Sequence, residues 1–376
     1  MAAHMGPLAR SLLLIVVATT FTGCRSRSET SENGFDPEIE HRLEGDVLTG
    51  DTDAEFPWVA CSPDGTHIAA GGQTRLYLMD VTTGRRESLW KKGSPSPAAP
   101  PYDPGGMNGL AFTGNGKYLA VRDWSGGVQV WDLTKRSVVF EFREHKGPVC
   151  DLAFSPTGKE LYVSESSPGD LVRRIELATG KTRVVYRAAE SKVVAPWPHA
   201  PIIFSIGISP DGKTLAVGVR EGTVLFDLET EKERAGLPTE ECAATAIAFS
   251  PDGRAVATAG DELRLWNAQS GAAIKTFDRQ ALRDGSVGTA RDVVFSSDGL
   301  LIATVLVRHV RIDSHVALWR VSDGKLLAHF PCHYGDIAGF GFSGQSYKLI
   351  TAGKDGKVKV WNLTAFAGES KVGHDK

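Results

Sequence analysis

The tetrapeptide Ser-Pro-Asp-Gly begins at Ser62, Ser209 and Ser250, and related forms begin at Thr113, Ser155, Ser296 and Ser343. Successive starts are 51, 42, 54, 41, 46 and 47 residues apart. Proline fixes φ and glycine permits φ > 0, so each tetrapeptide predicts a tight hairpin. An alternating apolar run precedes it, as in residues 149–154 (VCDLAF), and a second follows, as in 255–258. A third run ends in an aromatic or large apolar residue: 76–80, 128–132, 172–176, 223–227, 263–267, 316–320 and 358–362. A fourth often comes next, as in 270–277. Each unit therefore reads as a four-stranded antiparallel sheet with two apolar faces. Alone it can bury neither face.

Radial packing of the units buries both faces of every sheet. The expected fold is all-β, a seven-bladed β-propeller. The segment 147–158 (GPVCDLAFSPTG) and the dipeptide Trp131-Asp132 resemble the WD40-repeat family. The resemblance covers residues 41–363, although one repeat of seven carries a true Trp-Asp pair. Blades are expected over 58–90, 107–142, 149–186, 203–236, 245–277, 290–330 and 337–363. The last blade shows three clear strands. The resemblance implies that an N-terminal strand, 41–48, supplies the fourth and closes the ring.

The remaining residues read as a leader, a tether and a tail. Arg10 and the apolar run 11–18 look like an export signal; the run is too short to span a bilayer. Residues 21–24 (FTGC) resemble a bacterial lipobox, with Phe21 where that family usually has an aliphatic residue. The resemblance implies cleavage after residue 23, lipidation of Cys24 and a membrane-anchored protein, with Arg25 favouring the outer membrane. Residues 24–40 are expected to be a polar tether and 364–376 a polar tail. The net charge of −3 gives no basic excess, so nucleic acid is not an expected partner. Cys61, Cys150, Cys242 and Cys332 occupy unmatched repeat positions and are expected as small, free residues.

Two constellations invite chemistry. His333, Thr351, Asp355 and Trp361 could suggest a triad, but their spacing matches the structural hydrogen-bonded tetrad of WD40 repeats. Blade three has His145, Ser164 and Asp170, with Ile175 in place of the tryptophan. Blade five has Thr258, Asp261 and Trp266. Four residues before each hairpin start, the channel register holds Trp58, Gly109, Asp151, Ser205, Ala246, Asp292 and Gly339. Asp151 and Asp292 fall on roughly opposite blades. Two carboxylates are too few to predict a metal. No cofactor, metal or catalytic residue is expected.

Insertions at 91–106, 188–201, 278–289 and 306–315 lie on connections that share one face of such a fold. They and neighbouring turns carry Tyr102, Arg122, Asp123, Trp124, Trp197, His199, Arg308, Arg311 and Tyr334, residue types common in binding hot spots. The leading expectation is an exported, non-catalytic scaffold that binds a protein or peptide in the cell envelope through that face. The alternative is a binder of a small molecule or glycan in the channel, including a lactonase-like hydrolase. A sensor fragment of a larger protein is a third reading.

Overall fold

The computed structural model describes residues 39–42, 58–71, 75–91, 109–122, 127–144, 147–166, 169–192, 202–239, 244–278, 289–307, 313–344, 347–353 and 357–367. They form seven four-stranded antiparallel sheets, a seven-bladed β-propeller. Blade one illustrates the plan, with strands Trp58–Cys61, His67–Gly71, Arg75–Asp80 and Arg86–Lys91 in sequential order. First strands of successive blades lie against one another around the ring, blade one meeting blade seven.

The core sits between the blades. Ala120, Val128, Val130 and Phe142 of blade two pack on Val149, Leu152, Leu161, Val163 and Ile175 of blade three. Six further clusters join the other neighbouring pairs in the same way, including Val59, Ile68 and Met79 of blade one with Ile350 and Val360 of blade seven. An aromatic on a third strand often meets one on the preceding blade's outer strand. The pairs are Phe226 with Tyr186, Trp319 with Phe277, and Trp361 with Phe330.

Six of the seven tetrapeptides form hairpins between first and second strands, and the last, 343–346, ends outside the described residues. In Ser209–Gly212 the serine hydroxyl donates to Asp211 at 2.5 Å and accepts the Thr214 N–H at 2.8 Å. The Asp211 carboxylate also takes the Lys213 N–H. These bonds hold Asp211 below the usual carboxylate range. Ser62, Ser250 and Ser296 repeat the arrangement, and Thr113 does so with Asn115. Gly212 and Gly253, at φ +74 and +72, also turn a bare Cα toward the proline of the preceding hairpin, Pro156 and Pro210. The hairpins therefore touch from blade to blade. Gly344 N–H donates to the Pro63 carbonyl at 3.1 Å, joining blade seven to blade one.

The outer strand of blade seven is Ile39–Arg42, antiparallel to Lys357–Asn362. This corrects the expected 41–48. Pairing starts two residues earlier, inside the expected tether, and 43–48 lie outside the described residues. Blade six is also longer than expected. Leu306 and Val307 pair with His315 and Ser314, so the expected insertion 306–315 narrows to 308–312. Its fourth strand, Leu326–Tyr334, continues past Pro331. His333 and Tyr334 therefore belong to blade six. The expected tail begins with one helical turn, Thr364–Ala367, whose Phe366 packs on the cluster between blades six and seven.

Ser209→Ala removes both an acceptor for a buried N–H and a donor to Asp211. Urea denaturation should show a loss of about 1–2 kcal/mol. A neutral result would mean that the hairpin does not depend on this hydroxyl.

Candidate functional site

Antiparallel alternation gives the ring two distinct faces. First-to-second hairpins and third-to-fourth turns emerge on one, here the hairpin face. Second-to-third turns and blade-to-blade connections emerge on the other, the loop face. The strand ends that bracket the insertions, Lys91 and Leu110, Arg187 and Ile203, Thr276 and Thr289, and Val307 and Asp313, all lie at the loop face. Tyr334 ends its strand there and is 66% exposed.

Arg122 also reaches that end of the ring, but it is no surface anchor. Its side chain is buried and donates to the Val149 carbonyl of blade three. This bond turns the guanidinium toward the neighbouring blade. Tyr102, Asp123, Trp124, Trp197, His199, Arg308 and Arg311 lie outside the described residues, as do Cys24, His145 and Asp355.

Three tetrad residues come together across blades six and seven. Thr351 Oγ1 accepts the Trp361 indole N–H at 2.9 Å and is hydrogen-bonded to His333 Nε2 at 2.8 Å. His333 arrives from the outer strand of blade six and lies so close to Gly353 that a Cβ there would overlap its ring. The set is buried and ties two blades together. Trp266–Thr258 and Trp319–Thr304 repeat the indole-to-hydroxyl bond at 2.8 and 3.2 Å. The blade-six pair was not singled out from sequence, although its Thr and Trp have the same cross-strand offset. In blade two that offset falls on Val121, and the Trp131 indole N–H is buried without an acceptor. Blade three lacks the tryptophan, and Ser164 instead accepts the Asp151 N–H at 2.8 Å. Nearby, Glu165 is fully buried and paired with Arg173 at 2.8 Å. Asp170 is buried at φ +39, and desolvation raises its carboxyl above the usual range.

Register shifts precede Asp151, Ser205, Asp292 and Gly339. Such bulges re-aim the residue that follows. Asp151 does not point freely into the channel: Oδ1 accepts the Leu152 N–H at 2.8 Å and Oδ2 the Ile206 N–H of blade four at 2.9 Å. Asp292 Oδ1 accepts its neighbour's N–H in the same way. Trp58 heads the first strand of blade one, opposite Gly71. Burial pushes Asp151 up to about 7, and the charge of Asp292 adds to the rise. Among the described residues, no three His, Cys, Asp or Glu side chains gather as metal ligands. Cys61, Cys150 and Cys332 are free thiols, and burial pushes Cys61 up to about 12.

Thr351→Val should cost about 2–3 kcal/mol by leaving buried polar groups unpaired, while Val121→Thr should add about 1 kcal/mol by giving Trp131 an acceptor. Urea denaturation of both variants measures this, and a neutral Val121→Thr would show that the indole N–H is not a weak point. The raised Asp151 carboxyl predicts a pH effect. Its folded-state pKa lies above its unfolded value near 3.9, so its contribution is fully present below about pH 4 and is lost as pH rises through 7. The fall in Tm across that window should be shallower in Asp151→Asn than in the parent; equal slopes would refute the assignment.

Residues 136–169 and 324–362 match the family described as WD domain, G-beta repeat. Each match starts at the outer end of one blade and finishes in the next. The chain is similar to telomerase protein component 1 of Rattus norvegicus, 23% identical over 81% of this chain and 9% of that protein. It is similar to transducin beta-like protein 3 of Bos taurus, 24% identical over 83% and 38%. It is also similar to the WD repeat-containing protein 26 homolog of Arabidopsis thaliana, 22% identical over 68% and 48%. It thus spans less than half the length of these relatives. A chain of a solved structure titled Crystal Structure of Mitotic Checkpoint Complex shares the fold, with TM-score 0.67 and 16% identity, covering 94% of this chain and 99% of that one. The chain thus carries two matched WD repeats within a seven-bladed β-propeller and is similar to WD-repeat proteins over most of its length.

Proposed function

We propose that this chain is a non-catalytic scaffold that binds a protein or peptide of the cell envelope through its loop face. The observation that carries this reading is the common exit of the insertions. The described strand ends that flank all four insertions lie at one face of a ring tied together by buried contacts, which supports this reading. Exposed Tyr334 stands at that face, and the candidates Tyr102, Trp124, Trp197, Arg308 and Arg311 belong to its connections. Aromatic and arginine side chains on a rigid support suit protein recognition. The WD-repeat relatives support the same general role. The channel reading relied on Asp151 and Asp292, and Asp151 is engaged by two backbone N–H groups.

The chain is exported and held at the membrane by a lipid on Cys24, with Arg25 favouring the outer membrane. The apolar run 11–18 and the sequence 21–24 support this part of the proposal. Trp124→Ala, Trp197→Ala and Tyr334→Ala, combined, should reduce crosslinked capture of envelope proteins at least tenfold, with Tm changed by less than about 2 °C, the scale of a 1 kcal/mol effect in a ring of this size. Unchanged capture would place the binding surface elsewhere.

A further inference from the structure

The strand that completes blade seven has a direction as well as a position. Ile39 lies opposite Val360, close to Asn362, where the third strand ends on the hairpin face. Arg42 lies opposite Lys357, where that strand begins on the loop face. The chain therefore enters the propeller at Ile39 from the hairpin side and leaves Arg42 toward the loop side. Whatever precedes Ile39 joins the ring on its hairpin side.

Cys24 stands 15 residues before Ile39. At no more than about 3.6 Å per residue, that length reaches at most about 50 Å. A six-residue blade strand is itself about 20 Å long. Ile39, where that segment meets the ring, is nearer to the hairpin face than to the loop face by roughly one strand length. The hairpin face also suits a hydrated headgroup layer. Its exposed turns mix Lys117, Lys159, Asp211, Lys213, Glu229 and Arg254. Among the described residues, the exposed large apolar side chains lie elsewhere: Val138, Val139 and Ile274 on outer strands, Tyr334 on the loop face.

We infer that the anchor turns the hairpin face toward the bilayer and presents the loop face to the aqueous compartment, so that the face fits a soluble protein rather than a neighbour embedded in the same leaflet. This inference rests on the lipid-anchor reading given above. It deepens that reading by assigning the two faces opposite roles.

Two positions on blade four test it. Lys213 lies in the hairpin and Arg220 in the turn between its second and third strands, and both are exposed. The same fluorescent amino acid is placed at one or the other in the chain that begins at Cys24. Each protein is bound to phosphatidylethanolamine–phosphatidylglycerol vesicles carrying headgroup quenchers. Quenching at position 213 should exceed that at 220 at least twofold. Equal or reversed quenching overturns the orientation. Mass spectrometry of the N-terminal peptide reads the lipid separately. If Cys24 is unmodified in cells, the anchor reading fails; the vesicle measurement, run with a diacyl group coupled chemically to Cys24, still decides the geometry.

Discussion

Everything in this molecule depends on burial between neighbouring sheets. Leu161 and Ile175 on one blade and Val128 and Val130 on the next are shielded from water because the two blades stand face to face. Apolar burial contributes on the order of 25 cal/mol per Å² removed from water, and a single blade could collect it on neither face. The polar features follow from the same geometry. Where two sheets close over an indole N–H or a carboxylate, that group needs a partner. Trp361 and Asp151 show this need met, by the Thr351 hydroxyl and by backbone N–H groups respectively. Trp131 shows the need unmet.

Much of this architecture was legible in the sequence because its cause is local. The hairpins require Pro and Gly conformations and a serine or threonine hydroxyl within a few residues, and those residues lie together in the chain. The seven third strands were legible through their alternation. The expected end of blade six, residue 330, falls just before Pro331, a residue disfavoured inside a strand. In the structure Pro331 sits on an outer strand opposite His315, beside a register shift, where no ladder N–H is required. Extending past it carries His333 to Thr351.

The candidate site was less legible. Exit faces follow from alternation, so the clustering of insertions could be read without coordinates. The direction of a side chain at the end of a strand could not. Arg122 has the composition of a binding anchor, yet it is spent on the Val149 carbonyl of the adjacent blade. Glu165 and Arg173 lie eight residues apart and gave no signal, because their pairing depends on diagonal positions across adjacent strands, Glu165 opposite Leu171 and Arg173 opposite Val163. Charge within a propeller is informative only after its facing blade is known.

The ring closure has a consequence for how the chain is made. Ile39 finds Val360 roughly 320 residues later, and Pro63 finds Gly344 almost as far along. Contacts between such distant residues form late, since the intervening loop must first be drawn in. During vectorial synthesis, blade one therefore waits with an uncovered apolar side until nearly the whole polypeptide has emerged. A nascent chain of this kind presents sticky, half-assembled arcs. Shielding them until the last blade arrives is a demand the finished ring does not reveal.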